Sequence, residues 1–232
     1  MKLAFRHCWD LSPKRAMALQ ERLVRRLSVG RRGVCPFKIR DVETVAGADV
    51  SYSRNTNTCY AAVVVFRFPE MEILEQRTAV QEASYPYIPG LLTFREAPPV
   101  IRALSKVRTD PDLLVFDGQG MAHPRGIGLA SHMGLIYDKP SIGLAKSILA
   151  GRHDPPGTEA GDASLLKYKD RPVGYVLRSK TNCKPVIVSP GHLMDIEWSR
   201  RFVIRCLGKY RIPEITRYPH LLSNRIRRGH ED

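Results

Sequence analysis

Three successive segments rich in β-branched and aromatic residues constrain the fold of this chain more than any other feature of its sequence. The segments are VAGADVSYS, which starts at Val45, YAAVVVFRF at residues 60–68 and MEILEQRTAV at residues 71–80. Residues of these types favour strands, and turn-like stretches separate the three segments. The sequence therefore predicts three consecutive strands, which we expect to pair as an antiparallel meander.

Helix-like and strand-like segments alternate after this meander. The segment TFREAPPVIRALSKV is typical of a helix, provided that its Pro98 and Pro99 fall in the first turn. DLLVFDG and KPSIGLAKS are typical of short strands, and GIGLASHMGLIYD between them is typical of a helix. This βαβ order indicates a partly parallel sheet. We therefore predict an α/β fold with a mixed central β-sheet flanked by helices.

The remaining segments extend this architecture on both sides. Residues 11–28 have the apolar spacing of a basic amphipathic helix, and residues 151–163 have the Gly, Pro and acidic content of an exposed loop. Two further strands are expected around VGYVLRSK and PVIVS, followed by helices at residues 190–207 and 213–228. With 232 residues and no repeats, the chain is predicted to form a single domain over residues 1–232.

The charge balance of the chain indicates an acidic partner. Lys and Arg number 37 against 23 for Asp and Glu, which gives a formal net charge of +14. A nucleic acid is the simplest partner for that imbalance, although a basic surface that only keeps the protein soluble is the alternative. The N-terminus lacks the apolar stretch of a secretory signal, no membrane span is predicted, and the five cysteines form no C-x-x-C pair. We therefore expect a reduced protein in the cytoplasm, without a membrane partner.

Three acidic residues stand where a carboxylate needs a special reason. Asp49 lies inside the first predicted strand, in GADVSY, and Asp117 ends the strand-like LLVFD, where burial of a charge is costly without a compensating cation. Glu96 lies near the start of a predicted helix, a place that the helix dipole alone would favour. A cap, a turn or an ion pair explains each acid by itself equally well. Together the three could supply the hard oxygen ligands of a hydrolytic Mg²⁺ site.

A glycine-rich segment, DGQGMAHPRGIGLASHMG at residues 117–134, places five glycines around His123 and Arg125. Glycines let a backbone approach a ligand closely, but a tight turn before a packed helix explains the same pattern. Lys146, in GLAKS at the end of the next predicted strand, is either a surface lysine or a fixed cation near a phosphate.

The segment PYIPGLLTFRE at residues 86–96 is a second candidate for contact with nucleic acid. Its two prolines stiffen a loop that presents Tyr87 and Ile88, and Gly90 allows a sharp turn. A rigid apolar tip of this kind can wedge between bases and unstack them. The alternative is a loop whose apolar residues are simply buried.

Five motifs in this order resemble the motif set of the endonuclease V family: GADVSY, PYIPGLLTFRE, FDGQGMAHPRGIGLASHMG, GLAKS and VSPGH. The similarity runs from about Val45 to His220 and includes the unusual tetrapeptide PYIP. It implies a ribonuclease-H-like fold and Mg²⁺-dependent endonuclease activity in DNA repair. The implied reaction is hydrolysis of the second phosphodiester bond on the 3′ side of deoxyinosine, which nicks the strand and leaves the base in place.

The resemblance also implies roles for individual residues. The metal-binding acids correspond to Asp49, Glu96 and Asp117, and two further catalytic residues correspond to Lys146 and His220. The family wedge corresponds to Pro86, Tyr87, Ile88 and Pro89. A pocket for the flipped hypoxanthine base is expected at Gly90, Leu92, Gly118 and Gly128, while the site is expected to be supported by His123 and Arg125.

Two alternatives to this function stay open at this point. One is a nuclease of the same fold that acts on inosine-containing RNA or on a branched structure, because these motifs do not reveal contacts to a 2′-hydroxyl. The other is a nucleic-acid-binding protein without catalysis. The expected partner is DNA with deaminated bases, Mn²⁺ could substitute for Mg²⁺, and a monomer is expected. His132 and His192 are expected to be structural.

Overall fold

A computed structural model describes residues 1–29, 35–53 and 55–231 of the chain. In these ranges eight strands form one sheet: β1 (Thr44–Tyr52), β2 (Thr58–Arg67), β3 (Glu72–Glu82), β4 (Leu113–Phe116), β5 (Ser141–Ala145), β6 (Ala163–Tyr168), β7 (Arg171–Leu177) and β8 (Val186–Pro190). Their order across the sheet is β3-β2-β1-β4-β5-β8-β7-β6.

The strand directions confirm the predicted mixed sheet. β1, β2 and β3 form the antiparallel meander, in which Asp49 lies opposite Ala62 of β2. β1, β4 and β5 run parallel to one another, whereas β5, β8, β7 and β6 pair in antiparallel fashion. The carboxyl ends of three neighbouring parallel strands therefore lie side by side, which is where open α/β sheets hold their ligands.

Helices cover both faces of this sheet. In the described ranges these are α1 (Pro13–Leu23), α2 (Leu92–Leu104), α3 (Leu129–Tyr137), α4 (Ile196–Arg205) and α5 (Glu214–Glu231). Side chains alternate along β1, because Ala46 and Ala48 join the apolar core of α2 and α3 while Val45 joins that of α4 and α5. We call these two sides of the sheet the α2 face and the α5 face. None of the helices in the described part of the chain combines the length and apolar composition that a membrane-spanning segment requires.

Helix α2 begins earlier than its prolines predict. It starts at Leu92, so Pro98 and Pro99 lie in its interior and not in its first turn. Neither proline nitrogen can donate the usual helical hydrogen bond. The helix forms because Phe94, Ala97 and Val100 on its apolar side are fully buried, and tertiary packing of this kind outweighs local propensity.

Three other boundaries differ from the prediction. An unpredicted strand, β6, starts at Ala163 inside the expected loop, and it was missed because it is short, half-exposed and paired only with β7. α1 ends at Leu23 and continues as one 3₁₀ turn, so it is shorter than residues 11–28. α4 starts at Ile196 and not at residue 190, because the Asp195 side chain caps it by accepting from the Trp198 amide over 2.7 Å.

Candidate active site

Three charged side chains meet at the carboxyl ends of the parallel strands. Asp49 lies near the end of β1, Asp117 directly follows β4 and Lys146 directly follows β5. The amide of Asp117 donates a hydrogen bond to the carbonyl of Ala48 over 3.0 Å, which continues the pairing of β1 and β4. The topology of the sheet thus brings together acids that are far apart in the sequence.

Helix α5 adds His220 to the two aspartates. Asp49 is buried, and its Oδ2 accepts a 2.7 Å hydrogen bond from Ser223 Oγ and lies 3.3 Å from His220 Nδ1. One potential ligand atom from each of Asp49, Asp117 and His220 lies within 4.8 Å of the other two. We call these three residues the acidic cluster.

A close backbone contact between α5 and β1 sets the distance between His220 and Asp49. Pro219 has no amide hydrogen, so the carbonyl of Ile215, four residues earlier, receives no helical hydrogen bond from it. A Cβ added to Gly47 would lie only 1.7 Å from that carbonyl oxygen. Glycine at position 47 therefore lets α5 lie against β1 two residues before Asp49, and any side chain there would push the helix away.

Burial and mutual repulsion set the proton affinities of the two aspartates. Burial raises the pKa of Asp117 to about 7, and the charge of Asp49 adds to this rise, whereas Lys146, which donates a hydrogen bond to Asp117 Oδ2, opposes it. For Asp49, burial also acts to raise the pKa, but hydrogen bonds with His220, Asp117 and Ser223 outweigh burial and lower the pKa below its usual value. Without a cation, Asp117 is therefore the aspartate of the pair that keeps its proton to the higher pH.

Glu96 reaches the same cleft from the α2 face. Its buried carboxylate accepts a hydrogen bond from the hydroxyl of Tyr52, whose ring lies 4.8 Å from the guanidinium carbon of Arg95. Burial raises the pKa of Glu96 to about 8, and the charges of Asp49 and Asp117 add to the rise while the Tyr52 hydrogen bond opposes it. Among the described residues, the three whose ligand atoms converge include His220 and do not include Glu96.

The donor set of the acidic cluster fits a divalent cation. Carboxylate oxygens are the ligands that Mg²⁺ and Mn²⁺ prefer. Asp49 is buried and Asp117 beside it is partly buried, so two negative charges there are costly. The raised pKa of Asp117 reports that cost directly. A cation would relieve it by taking the place of the proton.

The acidic cluster lines a cleft of about 350 Å³. Lys146, Glu96 and His123 line it as well, as do all four residues predicted for a base pocket: Gly90, Leu92, Gly118 and Gly128. The segment after Lys146 adds two apolar side chains that the sequence did not single out, Ile148 and Leu149, each 41% exposed. The cleft therefore combines charged groups with an apolar, partly backbone-lined wall.

The segment PYIPG, residues 86–90, forms one rim of the cleft, and we call it the wedge loop. Tyr87 lines the cleft and is 68% exposed, so it is not the buried plug of the alternative interpretation. Pro86 and Pro89 are also exposed, whereas Ile88 is half-buried and packs into the core beneath the loop. The structure thus presents one aromatic ring at the tip and uses Ile88 as its anchor.

Three side chains hold the base of the wedge loop through a single carbonyl group. Gly90 adopts a φ of +79°, and its carbonyl accepts hydrogen bonds from His123 Nε2 at 2.9 Å, Arg125 Nη2 at 2.6 Å and Gln20 Nε2 at 3.2 Å. Arg125 also donates to Gln20 Oε1 over 2.6 Å. Burial lowers the pKa of His123 to about 4, so this ring is neutral near pH 7. His123 and Arg125 therefore support the loop from below.

The other two histidines of these motifs, His132 and His192, are buried and each contacts a partner within the fold. His132 is fully buried, and its Nε2 lies 2.8 Å from Nε2 of His7. His192 is buried between strands and helices, with its Nε2 3.0 Å from Asp138 Oδ1. Neither lines the cleft.

Sequence reasoning missed three residues that hold the site: Tyr52, Ser223 and Gln20. Ser223 could have been found once His220 was suspected, because residues three apart on a helix face the same way. Tyr52 lies on the α2 face of β1, three residues after Asp49. Gln20 is a buried polar residue on the apolar side of α1, which is a local signal of a specific partner but does not identify it.

Comparison with known proteins gives consistent matches over nearly the whole chain. The family model described as Endonuclease V matches residues 33–221. Endonuclease V from Kosmotoga olearia is 42% identical over 232 residues, covering 99% of each chain. The solved structure of Endonuclease V from Streptomyces avermitilis has a TM-score of 0.87 and 37% identity, covering 97% of this chain and 96% of that one. The solved complex of Endonuclease V from Ciona intestinalis with a 24mer DNA that contains an inosine followed by a ribo-adenosine has a TM-score of 0.79 and 26% identity, covering 91% and 96%.

Proposed function

The chain belongs to the endonuclease V family of DNA-binding nucleases, and we propose that it recognises deoxyinosine in DNA and hydrolyses the second phosphodiester bond on its 3′ side with Mg²⁺. The observation that carries this proposal is the meeting of Asp49, Asp117 and His220, with ligand atoms within 4.8 Å, in the same cleft as the exposed Tyr87. One cleft combines a place for a divalent cation with a side chain able to unstack a base. The fold around it is ribonuclease-H-like, as the resemblance implied.

Each charged group of the cleft has a task in this reaction. Asp49, Asp117 and His220 hold the cation, and bound Mg²⁺ supplies Lewis-acid stabilisation of the charge on the scissile phosphate. Lys146 lies against Asp117 and fixes a positive charge beside that phosphate. Glu96 has one oxygen held by Tyr52, and its other oxygen is available to accept a proton from the attacking water. The charges of Asp49 and Asp117 contribute to the raised pKa of Glu96, so a cation that offsets those charges would favour the ionised, proton-accepting form of Glu96. No covalent bond between enzyme and substrate is required.

Recognition uses the other wall of the cleft. Tyr87 enters the base stack, and the displaced hypoxanthine enters the pocket lined by Gly90, Leu92, Gly118 and Gly128. Backbone groups beside glycines are accessible to the Watson–Crick edge of a flipped base. The Ciona intestinalis protein, solved with inosine-containing DNA, supports this choice of substrate.

The protein is further proposed to act as a monomer in the cytoplasm, on DNA with deaminated bases and with Mn²⁺ as a substitute cation. The five cysteines are free thiols, which suits a reducing compartment.

The decisive experiment is incubation of the purified protein with an end-labelled duplex that carries one inosine. An identical duplex with adenosine at that position is the matched control, and each is tested with Mg²⁺, with Mn²⁺ and with EDTA. We expect cleavage of the inosine strand at the second phosphodiester on the 3′ side, read against a sequencing ladder, and none with EDTA. A parallel substrate with a ribonucleotide after the inosine measures any preference for RNA.

Three outcomes would overturn the proposal. Equal cutting of both duplexes would remove inosine recognition, and cutting that persists in EDTA would remove the metal. Release of free hypoxanthine before any strand break would indicate a glycosylase reaction, which the acidic cluster does not suit.

A further inference from the structure

A stacked arginine and tyrosine lie beside the cleft on the α5 face and have no role in the reaction as described so far. The guanidinium carbon of Arg217 lies 3.6 Å from the centroid of the Tyr210 ring, and Lys209 Nζ lies 5.1 Å from it. Tyr210 is 37% exposed. Among the residues that the structure describes, no acid forms an ion pair with Arg217 or Lys209, so both positive charges are available to a ligand.

Two connections fix this pair next to the reacting groups. Arg217 precedes His220 by three residues on α5, so both lie on nearly the same side of the helix, about 4.5 Å apart along its axis. Arg211, the neighbour of Tyr210, donates to the carbonyl of Lys146 over 3.3 Å and to the carbonyls of Lys184 and Pro185. The Tyr210 segment is therefore tied to the strand end that carries Lys146.

The position of the pair also gives a direction along the substrate. The wedge loop and α2 lie on one face of the sheet, the acidic cluster lies at the strand ends, and Arg217 and Tyr210 lie on the opposite face with α5. In the proposed function, the inosine occupies the wedge-loop side and the cut lies on its 3′ side. A strand that continues past the cut then passes over α5.

We infer that Arg217 binds a phosphate group of the substrate strand on the 3′ side of the cut, and that Tyr210 positions it. This inference rests on the proposed function, which supplies the direction of the strand. Arg217 lies less than one helical turn from His220, which places its subsite at a neighbour of the scissile phosphate. The subsite therefore takes the first phosphate beyond the scissile one. The Tyr210 ring holds the guanidinium in place through a cation–π contact, so the bound orientation exists before the substrate arrives.

The test pairs a change in the protein with a change in the DNA. Affinity is measured by fluorescence anisotropy in EDTA, which separates binding from cleavage, on inosine strands with one neutral methylphosphonate linkage. The linkage is placed either at the first phosphate beyond the cut or, as a control, at the first phosphate on the 5′ side of the inosine. We expect Arg217→Gln to weaken binding of the unmodified strand about five- to tenfold, and the methylphosphonate beyond the cut to weaken wild-type binding similarly.

The two changes combined decide the matter. If Arg217 contacts that phosphate, the methylphosphonate beyond the cut causes no further loss in Arg217→Gln, while the control linkage weakens both proteins equally. Tyr210→Leu should reproduce part of the affinity loss of Arg217→Gln. Tyr210→Phe should keep wild-type affinity, because the aromatic ring and not the hydroxyl holds the arginine. Arg102→Gln removes an equal charge from the exposed side of α2 and should have no such coupling.

The inference would be overturned if the affinity losses caused by Arg217→Gln and by the methylphosphonate beyond the cut multiplied independently. It would also be overturned if Tyr210→Phe bound the strand as weakly as Tyr210→Leu. Failure of the proposed function is distinguishable from this result. It would appear in the wild-type protein as equal binding and cutting of inosine and adenosine strands, whereas failure of the subsite leaves wild-type inosine cleavage intact and removes only the coupling.

Discussion

The acidic cluster and the wedge loop share one cleft, but their parts are held in opposite ways. In the cluster, Asp49 and the partly buried Asp117 repel each other, and desolvation with that repulsion raises the pKa of Asp117 to about 7. In the wedge loop, the Gly90 carbonyl receives three hydrogen bonds and the neutral His123 fits its place without competing charge. Among the described residues, the first region has only Lys146 to offset two carboxylates, whereas the second has its interactions satisfied within the protein.

This difference indicates that the wedge loop contributes to substrate binding and the acidic cluster to the chemical step. The loop is ordered before substrate arrives, so its interactions serve affinity and discrimination without further reorganisation. In the acidic cluster, the repulsion between the two aspartates is relieved only when a cation binds. The stabilisation that the cluster provides is therefore expressed together with the metal and the charge of the scissile phosphate. Changes to the cluster should therefore alter kcat, and changes to the loop should alter KM or substrate preference.

The largest effect is expected from Asp117→Asn. The amide keeps the size of the side chain but removes the charge that holds a divalent cation, so Mg²⁺-dependent nicking should fall by at least about 1000-fold. Binding of an inosine duplex in EDTA should be unchanged or tighter, since a negative charge near the phosphate is lost. Nicking rates and gel-shift affinity measure the two effects. The control is Asp110→Asn, an exposed acid paired with Lys139 at 2.8 Å, and a folded Asp117→Asn protein as active as this control would refute the cluster's role.

Tyr87→Ala should separate the loop from the cluster. Without the ring, unstacking loses support worth roughly 2 kcal/mol, so cleavage of inosine between intact base pairs should fall about thirtyfold. Cleavage of inosine in a single strand should fall much less, because an unpaired base needs little unstacking. Steady-state kinetics on both substrates give the comparison. Equal losses on the two would mean that Tyr87 contributes only packing.

The sequence predicted the cleft better than it predicted the forces within it. The motifs marked Asp49, Asp117, Lys146 and the wedge loop, because acids at apolar strand positions and a stiffened PYIP tip are local signals. The convergence of His220 on Asp49 depends on Gly47 and Pro219, which are 172 positions apart and are each unremarkable in isolation. Pro98 and Pro99 led to a wrong predicted start for α2, because burial of Phe94 and Val100, and not the local sequence, sets where this helix begins.

Tyr52→Phe tests whether the α2 face contributes to chemistry. The change keeps the ring against Arg95 but leaves Glu96 Oε1 without its donor, and a hydrogen bond to a charged group is worth about 1.5 kcal/mol. We expect kcat to fall about tenfold with KM unchanged. Tyr175→Phe is the matched control, because its hydroxyl donates to Glu197 over 3.2 Å at the surface. A change in KM alone would place Tyr52 with the recognition wall instead.

The affinity of the acidic cluster for a divalent cation should increase with pH, because the pKa of Asp117 is raised. Asp117 has a raised pKa of about 7, so the folded protein holds a proton on this ligand that a cation must displace. At pH 6 about one Asp117 in ten is ionised and at pH 8 about nine in ten, so Mn²⁺ affinity should rise about tenfold between them. Titration calorimetry measures this rise, and equal Mn²⁺ affinities at the two pH values would contradict it.

The raised pKa values of Asp117 and Glu96 determine how the metal-free protein responds to pH. The unfolded chain loses these two protons at roughly pH 4, whereas the folded protein keeps them until pH 7 to 8. Stability in EDTA should therefore decrease as pH rises through this window, and Mg²⁺ should restore it at pH 8. Thermal unfolding at pH 7 and pH 8.5 checks the direction, because buried histidines such as His123, whose pKa is lowered to about 4, add the opposite dependence only at lower pH. A metal-free Tm that rises between these two pH values would contradict the raised pKa values assigned to Asp117 and Glu96.

The smallest effect is expected from Gln20→Ala, which loosens the wedge loop from beneath. Gln20 is fully buried, donates to the carbonyls of Gly90 and Ile127 and accepts from Arg125, so its loss leaves Arg125 without one acceptor. Such a loss costs about 1 kcal/mol, and we expect KM for an inosine duplex to rise about fivefold at unchanged kcat. Gln76→Ala on exposed β3 is the control. If kcat falls while KM holds, the loop and the cluster are coupled, and the division of work between them is wrong.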